Sequence, residues 1–186
     1  MKITMSDREI AMIQSFMAKA DNYFEYGMGG STCLAARTVR NHVSAIDSDA
    51  EWVSKVRTEL EKDAKSVRAV HVDIGATGNW GMPVDRSAEA RWPDYSRAIL
   101  NDPEDFDLCL VDGRFRVACF LTAMAHMRSD AIACIHDYTP RDYYKVVEKY
   151  TRPICGVDTI MFFARRADKS PQELMEAADS FRLDPK

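Results

Sequence analysis

Glu25-Tyr26-Gly27-Met28-Gly29-Gly30-Ser31-Thr32 is the stretch on which the reading of this chain turns. The residues leading into it, Asn22-Tyr23-Phe24-Glu25-Tyr26, are rich in aromatics and read as a short strand. The glycines after them allow backbone angles closed to other residues and let main chain come close to another group. Thr32 to Val39 then reads as a helix, so the stretch is a strand, a turn and a helix. A helix starting near Ser31 offers unpaired N–H groups at that turn, a natural seat for a nucleotide-like ligand.

Working outward, strands and helices alternate. Ser6-Asp7-Arg8-Glu9 has the form of a capping box and opens a helix from about Asp7 to Ala20. Val43 to Asp47 is a second strand. Asp49 to Ala64 is a charged helix whose apolar face carries Trp52, Val53, Val56 and Leu60. Arg68 to Asp73 is a third strand, and a loop rich in Gly and Pro follows from Ile74 to Trp92. Pro93–Leu100 is read as a helix, Phe106–Asp112 as a strand, Phe115–Met127 as an apolar helix and Ala131–Asp137 as a strand. Helix Arg141–Tyr150, strands Ile154–Val157 and Thr159–Ala164, and helix Pro171–Asp179 complete the chain. The alternation predicts βαβ crossovers and a mostly parallel sheet. The last two strands are too close for a crossover and predict an antiparallel hairpin.

The bulk composition limits function. The 186 residues suit one domain, 1–186, with an N-terminal helix (1–20), a core (21–166) and a C-terminal helix and tail (167–186). A net charge of −4 gives no general pull towards nucleic acid, and no nucleic-acid partner is expected. No signal-peptide pattern opens the chain and no apolar run spans a membrane, so a cytoplasmic location is expected. Five cysteines without a CxxC pair read as buried thiols.

In open α/β sheets the ligand lies beyond the carboxyl ends of the strands. Asp47 stands there, about 20 residues after the first glycine, where a carboxylate accepts hydrogen bonds from ribose hydroxyls. A dinucleotide site wants a further glycine three residues past the second, and Thr32 occupies that position. An acid just before the glycines, Glu25, suits a cationic ligand better than a pyrophosphate. S-adenosylmethionine carries an ammonium and a sulfonium and fits this pattern, whereas a nicotinamide-dependent oxidoreductase fits it less well.

With these residues in view, the chain resembles class I S-adenosylmethionine-dependent methyltransferases over roughly residues 20–166. Glu25-Tyr-Gly-Met-Gly-Gly-Ser-Thr looks like the family's first motif, Ser44-Ala-Ile-Asp47 its ribose-binding strand, and Asp107-Leu-Cys-Leu-Val-Asp112-Gly-Arg its fourth-strand motif. The resemblance implies an α/β, doubly wound, Rossmann-like seven-stranded sheet of order 3-2-1-4-5-7-6 with strand 7 antiparallel. It implies a methyltransferase acting on a small molecule, on oxygen. A non-catalytic methyltransferase-like binding module is the alternative. It implies cofactor contacts from Glu25, Gly27, Gly29 and Asp47, and adenine contacts from Asp73 and Ile74, with Trp80 as a stacking ring.

Asp112 and Asp137 end neighbouring strands and bring two carboxylates to one rim. A divalent metal there is the less favoured reading, because Tyr138 stands where the catechol-type enzymes of the family carry an asparagine and the basic lysine of that group is missing. Without a metal, His136 or Asp137 is the expected general base, beside Asp112. Arg114, Arg116 and Tyr138 are the expected substrate contacts, with Arg141 on the same rim. The chain has little material outside its core, so the 74–92 loop, or a second subunit of a homodimer, is expected to complete the acceptor site.

Overall fold

The computed structural model describes residues 1–63 and 65–186. Among these residues seven strands form one sheet: β1 (Asn22–Tyr26), β2 (His42–Asp47), β3 (Arg68–His71), β4 (Leu108–Val111), β5 (Ile132–Ile135), β6 (Thr151–Val157) and β7 (Ile160–Arg165). Their order is β3-β2-β1-β4-β5-β7-β6. β7 runs antiparallel to both β5 and β6, and the other pairs are parallel. This is the arrangement that the alternation and the family resemblance imply.

Strand alternation sends successive side chains to opposite faces. Tyr23, Leu108, Leu110, Cys134 and Phe162 fall in one apolar cluster with helix α1 (Asp7–Met17) and helix α2 (Gly30–Thr38). Phe24, Tyr26, Cys109, Val111, Ala133 and Ile135 fall in the other, under helices α4 (Trp92–Ser96), α5 (Arg116–His126) and α6 (Pro171–Ser180). Helix α3 (Ala50–Leu60) packs Val53, Val56 and Leu60 against α2 and Ala69. Nearly every residue of α5 is buried, as expected of a helix apolar on all sides. Removing the Phe120 ring from this layer would cost about 3–5 kcal/mol.

Element ends differ from expectation in instructive ways. Residues 141–150, read as an α-helix, form a 3-10 helix over Asp142–Lys149. β6 starts at Thr151, three residues early, and takes in Pro153. β6 is an edge strand, where a missing N–H is tolerated, and the ladder shifts register between Pro153 and Cys155. The expected end of the third helix, Ala64, lies outside the described residues. The 74–92 loop holds two short 3-10 turns, Asn79–Gly81 and Glu89–Arg91.

Two loops meet backbone to backbone at the carboxyl end of the sheet. Gly27 follows β1 at φ +90°. A Cβ on Gly27 would lie 2.6 Å from Gly113 Cα and 2.8 Å from Asp112 C. Gly113 follows β4, and a Cβ there would strike the Tyr95 hydroxyl of α4. Gly27→Ala therefore combines a left-handed backbone with a main-chain clash, and is expected to cost about 2–4 kcal/mol. Thermal unfolding measures this; a melting temperature equal to that of the unaltered protein would contradict the close approach.

Candidate functional site

The first-turn acid does not face the cleft. The pleat of β1 points Glu25 to the face covered by α2, and it is 0 % exposed. Its carboxylate accepts hydrogen bonds from the Ser31 hydroxyl and from Thr32 Oγ1 at 2.8 Å. Burial raises its pKa to about 8; the Ser31 and Thr32 donors oppose the rise, and the charge of Asp112 adds to it. The expectation that Glu25 meets a ligand is corrected on this ground: the residue anchors the start of α2 to β1. Thr32 Oγ1 also accepts from Gly29 N at 2.8 Å, so the same pair shapes the turn.

The glycines have separate duties. Gly27 is spent on Gly113, as described. A Cβ on Gly30 would meet Lys2 O at 2.5 Å. Gly29 alone in this turn has room: its nearest neighbour on the Cβ side is Trp52 Cζ2 at 3.9 Å. Trp52 was expected among the apolar contacts of α3. It turns instead to the glycine turn and donates from Nε1 to Met28 O at 2.7 Å, leaving 37 % of its surface exposed. Asp47 stands beside it at the end of β2, partly exposed, with Oδ1 accepting from Asp49 N at 3.0 Å. Burial lifts its pKa to about 6 against the pull of the Asp49 and Ser48 N–H groups. The 74–92 loop reaches this point, with Ser48 Oγ donating to Gly81 O at 3.4 Å. Trp80 is 82 % exposed and holds a left-handed backbone, φ +61°.

The two residues expected beside an adenine ring diverge. Asp73 is exposed, accepts from Gly75 N at 2.9 Å and pairs with Arg91. Ile74 is 1 % exposed, beneath Trp92, whose Nε1 donates to Ile74 O at 3.1 Å. The Ile74 side chain is a core side chain, which corrects its expected contact with a ligand. Asp73 borders a cleft of about 430 Å³ between β3 and the 91–101 segment, lined also by Val70, Val72 and Ala98.

At the other half of the rim, Asp112, His136 and Asp137 offer ligand atoms within 4.8 Å of one another. The charge among them is met by Arg116, which is 3 % exposed. Its guanidinium pairs with Asp112 at 3.1 Å and Asp137 at 3.5 Å, and donates to the carbonyls of Asp112, Gly113 and His136. Arg116 is thus an internal staple with no face for a substrate, and its expected substrate contact is corrected. Tyr138 is corrected likewise: it is 3 % exposed, packs edge-on against Phe163, and donates its hydroxyl to Glu148 at 2.5 Å. Arg141 pairs with Asp137 at 2.9 Å.

His136 lies between two carboxylates. Nδ1 meets Asp112 at 3.0 Å, and Nε2 lies 3.6 Å from Glu9 of α1. Burial disfavours the imidazolium, but the Asp112 hydrogen bond and the charges of Asp112, Asp137 and Glu9 outweigh it and raise the pKa. With both nitrogens facing acceptors, the ring is suited to holding protons rather than taking one from a ligand. Glu9, unforeseen in this role, also accepts from Thr159 N at 2.9 Å and Thr159 Oγ1 at 2.6 Å. Burial would raise its pKa, yet the Thr159 and Ser6 donors and His136 bring it down to about 2.

No family model and no curated protein sequence matches the chain. Solved structures do. A methyltransferase-like protein from Silicibacter pomeroyi is 28% identical, with 99% of this chain and 98% of that one covered and a TM-score of 0.89. The 16S rRNA N2 G1207 methyltransferase of T. thermophilus, solved with AdoMet and guanosine, is 15% identical at a TM-score of 0.59, covering 88% of this chain and 44% of that one. The precorrin-6y C5,15-methyltransferase of Geobacter metallireducens is 13% identical at a TM-score of 0.56, covering 89% and 92%. Among the described residues no helix is long and apolar enough to cross a membrane.

Two buried acids predict opposite pH slopes. Glu9 has a folded pKa of about 2 against an ordinary 4.5, so its contribution to stability holds above pH 4.5 and is lost as pH falls towards 2. Glu9→Gln should flatten that acid limb in urea titrations and lower the melting temperature at neutral pH by several degrees; an unchanged limb would contradict the assignment. Glu25 has a folded pKa of about 8 against 4.5, so its contribution holds below pH 4.5 and is lost as pH rises through about 8. Glu25→Gln should remove this loss, and its stability relative to the unaltered protein should climb over that interval. Parallel stability curves would show that Glu25 is ionised in the fold.

Proposed function

We propose, for a chain that has the class I S-adenosylmethionine-dependent methyltransferase fold, that it transfers the methyl group of S-adenosylmethionine to oxygen of a small-molecule acceptor. The observation that carries the cofactor reading is the room at Gly29, whose Cβ side meets only Trp52 Cζ2, at 3.9 Å, within 4 Å. Its neighbours Gly27 and Gly30 are filled by protein, so Gly29 is the position in the turn where a ligand can approach main chain.

The residues present fit the cofactor. The start of α2 supplies N–H groups, Asp47 accepts from ribose hydroxyls, and the Trp52 edge closes the side at Gly29. When bound, the cofactor supplies an activated methyl on a sulfonium. The chain's part is then largely alignment, which by itself contributes much of the rate in such reactions. Asp112 and Asp137 keep partly exposed carboxylates at the rim, 27% and 30% by side chain, and in this reading they orient an acceptor hydroxyl and accept its proton. Asp137 holds a left-handed backbone, φ +59°, of the kind found at functional sites. His136 positions Asp112 rather than acting as the base. The net charge of −4 favours a small acceptor over a nucleic acid, which needs a field of lysines and arginines.

Calorimetry with adenosylmethionine and adenosylhomocysteine tests the reading, and no heat of binding from either at millimolar concentration would sink it. Asp47 accepts best when ionised, so affinity should fall as pH drops through about 6. Asp47→Asn should weaken binding about tenfold at pH 8 and abolish that pH step.

A further inference from the structure

Three arginines reach the rim between β4, β5 and the 3-10 helix at Asp142–Lys149, and two of them are fully engaged. Arg116 pairs with Asp112 and Asp137. Arg141 pairs with Asp137 at 2.9 Å and meets the Tyr144 hydroxyl at 3.2 Å. Arg114 is different. Among the described residues no carboxylate lies within 4.0 Å of it, and its Nε is buried with no hydrogen-bond partner.

Its position explains the isolation. Arg114 directly follows Gly113, in the loop that presses on Gly27. Phe115, at φ +53°, turns the chain sharply into α5. The Arg114 stem passes below Gly81 of the 74–92 loop, whose Cβ position lies 3.9 Å from Arg114 Cγ. The head group lies in the field of Asp47, Asp112, Tyr95 and Tyr144, with Arg116 adding a like charge. Burial and that like charge act against the guanidinium, which nonetheless stays charged in proteins. A guanidinium presents five donors in a fixed fork that matches carboxylate and phosphate oxygens. A buried donor without a partner is costly to keep unless a ligand meets it.

We infer that Arg114 is the receptor for an anionic group, a carboxylate or phosphate, of a ligand bound at the rim where the 74–92 loop meets the end of β4. This rests on the cofactor reading above and adds to it the chemical class of the ligand's charged end. Two sources carry that chemistry: the amino-acid carboxylate of adenosylmethionine, and an acidic acceptor.

Calorimetry on the unaltered protein and on Arg114→Met and Arg114→Gln separates them. Thermal unfolding first establishes which variants fold; Arg114→Gln keeps a polar side chain and backs up Arg114→Met. The probes are adenosylmethionine, 5′-methylthioadenosine (the same nucleoside sulfide without the amino-acid end), and inorganic phosphate added to protein saturated with adenosylhomocysteine. A loss of at least about tenfold for adenosylmethionine, with 5′-methylthioadenosine unchanged, assigns Arg114 to the cofactor's carboxylate. Unchanged nucleosides with phosphate binding lost assigns it to the acceptor's anion. Equal affinities for every probe in variant and unaltered protein overturn the inference. If neither nucleoside binds the unaltered protein, the cofactor reading fails by itself. Phosphate binding to the free protein then decides Arg114: loss in the variants supports it, and no loss, or no phosphate binding at all, overturns it.

Discussion

A buried guanidinium organises the rim at the ends of β4 and β5. Arg116 is almost without solvent contact, and a buried charge must be met in full or it destabilises the fold by several kcal/mol. It is met by two carboxylates and three main-chain carbonyls drawn from the ends of β4 and β5. Those contacts hold the carbonyl of Gly113 in place, and Gly113 in turn sets how near Gly27 can come. The first turn, the fourth-strand loop and the fifth-strand end are therefore tied together by direct contacts. The same charge occupies the space between Asp112 and Asp137 that a cation would otherwise neutralise.

Much of this was legible in the residues alone. The parallel sheet and its closing hairpin followed from alternation and from the short link at Asp158, because hairpins need no length, while the strand order was implied by the family resemblance. The importance of the glycine turn followed from backbone freedom. What the residues did not disclose is which way a side chain leaves the sheet. Glu25 reads as a ligand contact by position, but the two-residue period of the strand sends it under α2. Ile74 and Tyr138 fail for a related reason: each sits just past a strand end, where one residue decides between core and cleft.

Long-range partners were beyond sequence reasoning for a different cause. Glu9 reads as the third residue of a capping box, and it does fill that place. Its second oxygen reaches Thr159 across 150 residues of chain, while the capping oxygen faces His136. Trp52 likewise has the spacing of a core residue on α3, and only the fold shows that the turn at Met28 lies within reach of its indole N–H. The signal available for both was their excess capacity: an acid with two oxygens where a cap needs one, and an amphipathic ring at the first turn of a helix.

The sheet's borders carry a consequence for assembly. β3 is four residues long, and β6 carries Pro153 and a register shift in its ladder with β7. Short strands, proline and bulges are how proteins keep an open ladder from recruiting another strand. Neither border is a template for extending the sheet across two molecules. A second copy would have to approach through loops and helix faces rather than by adding a strand.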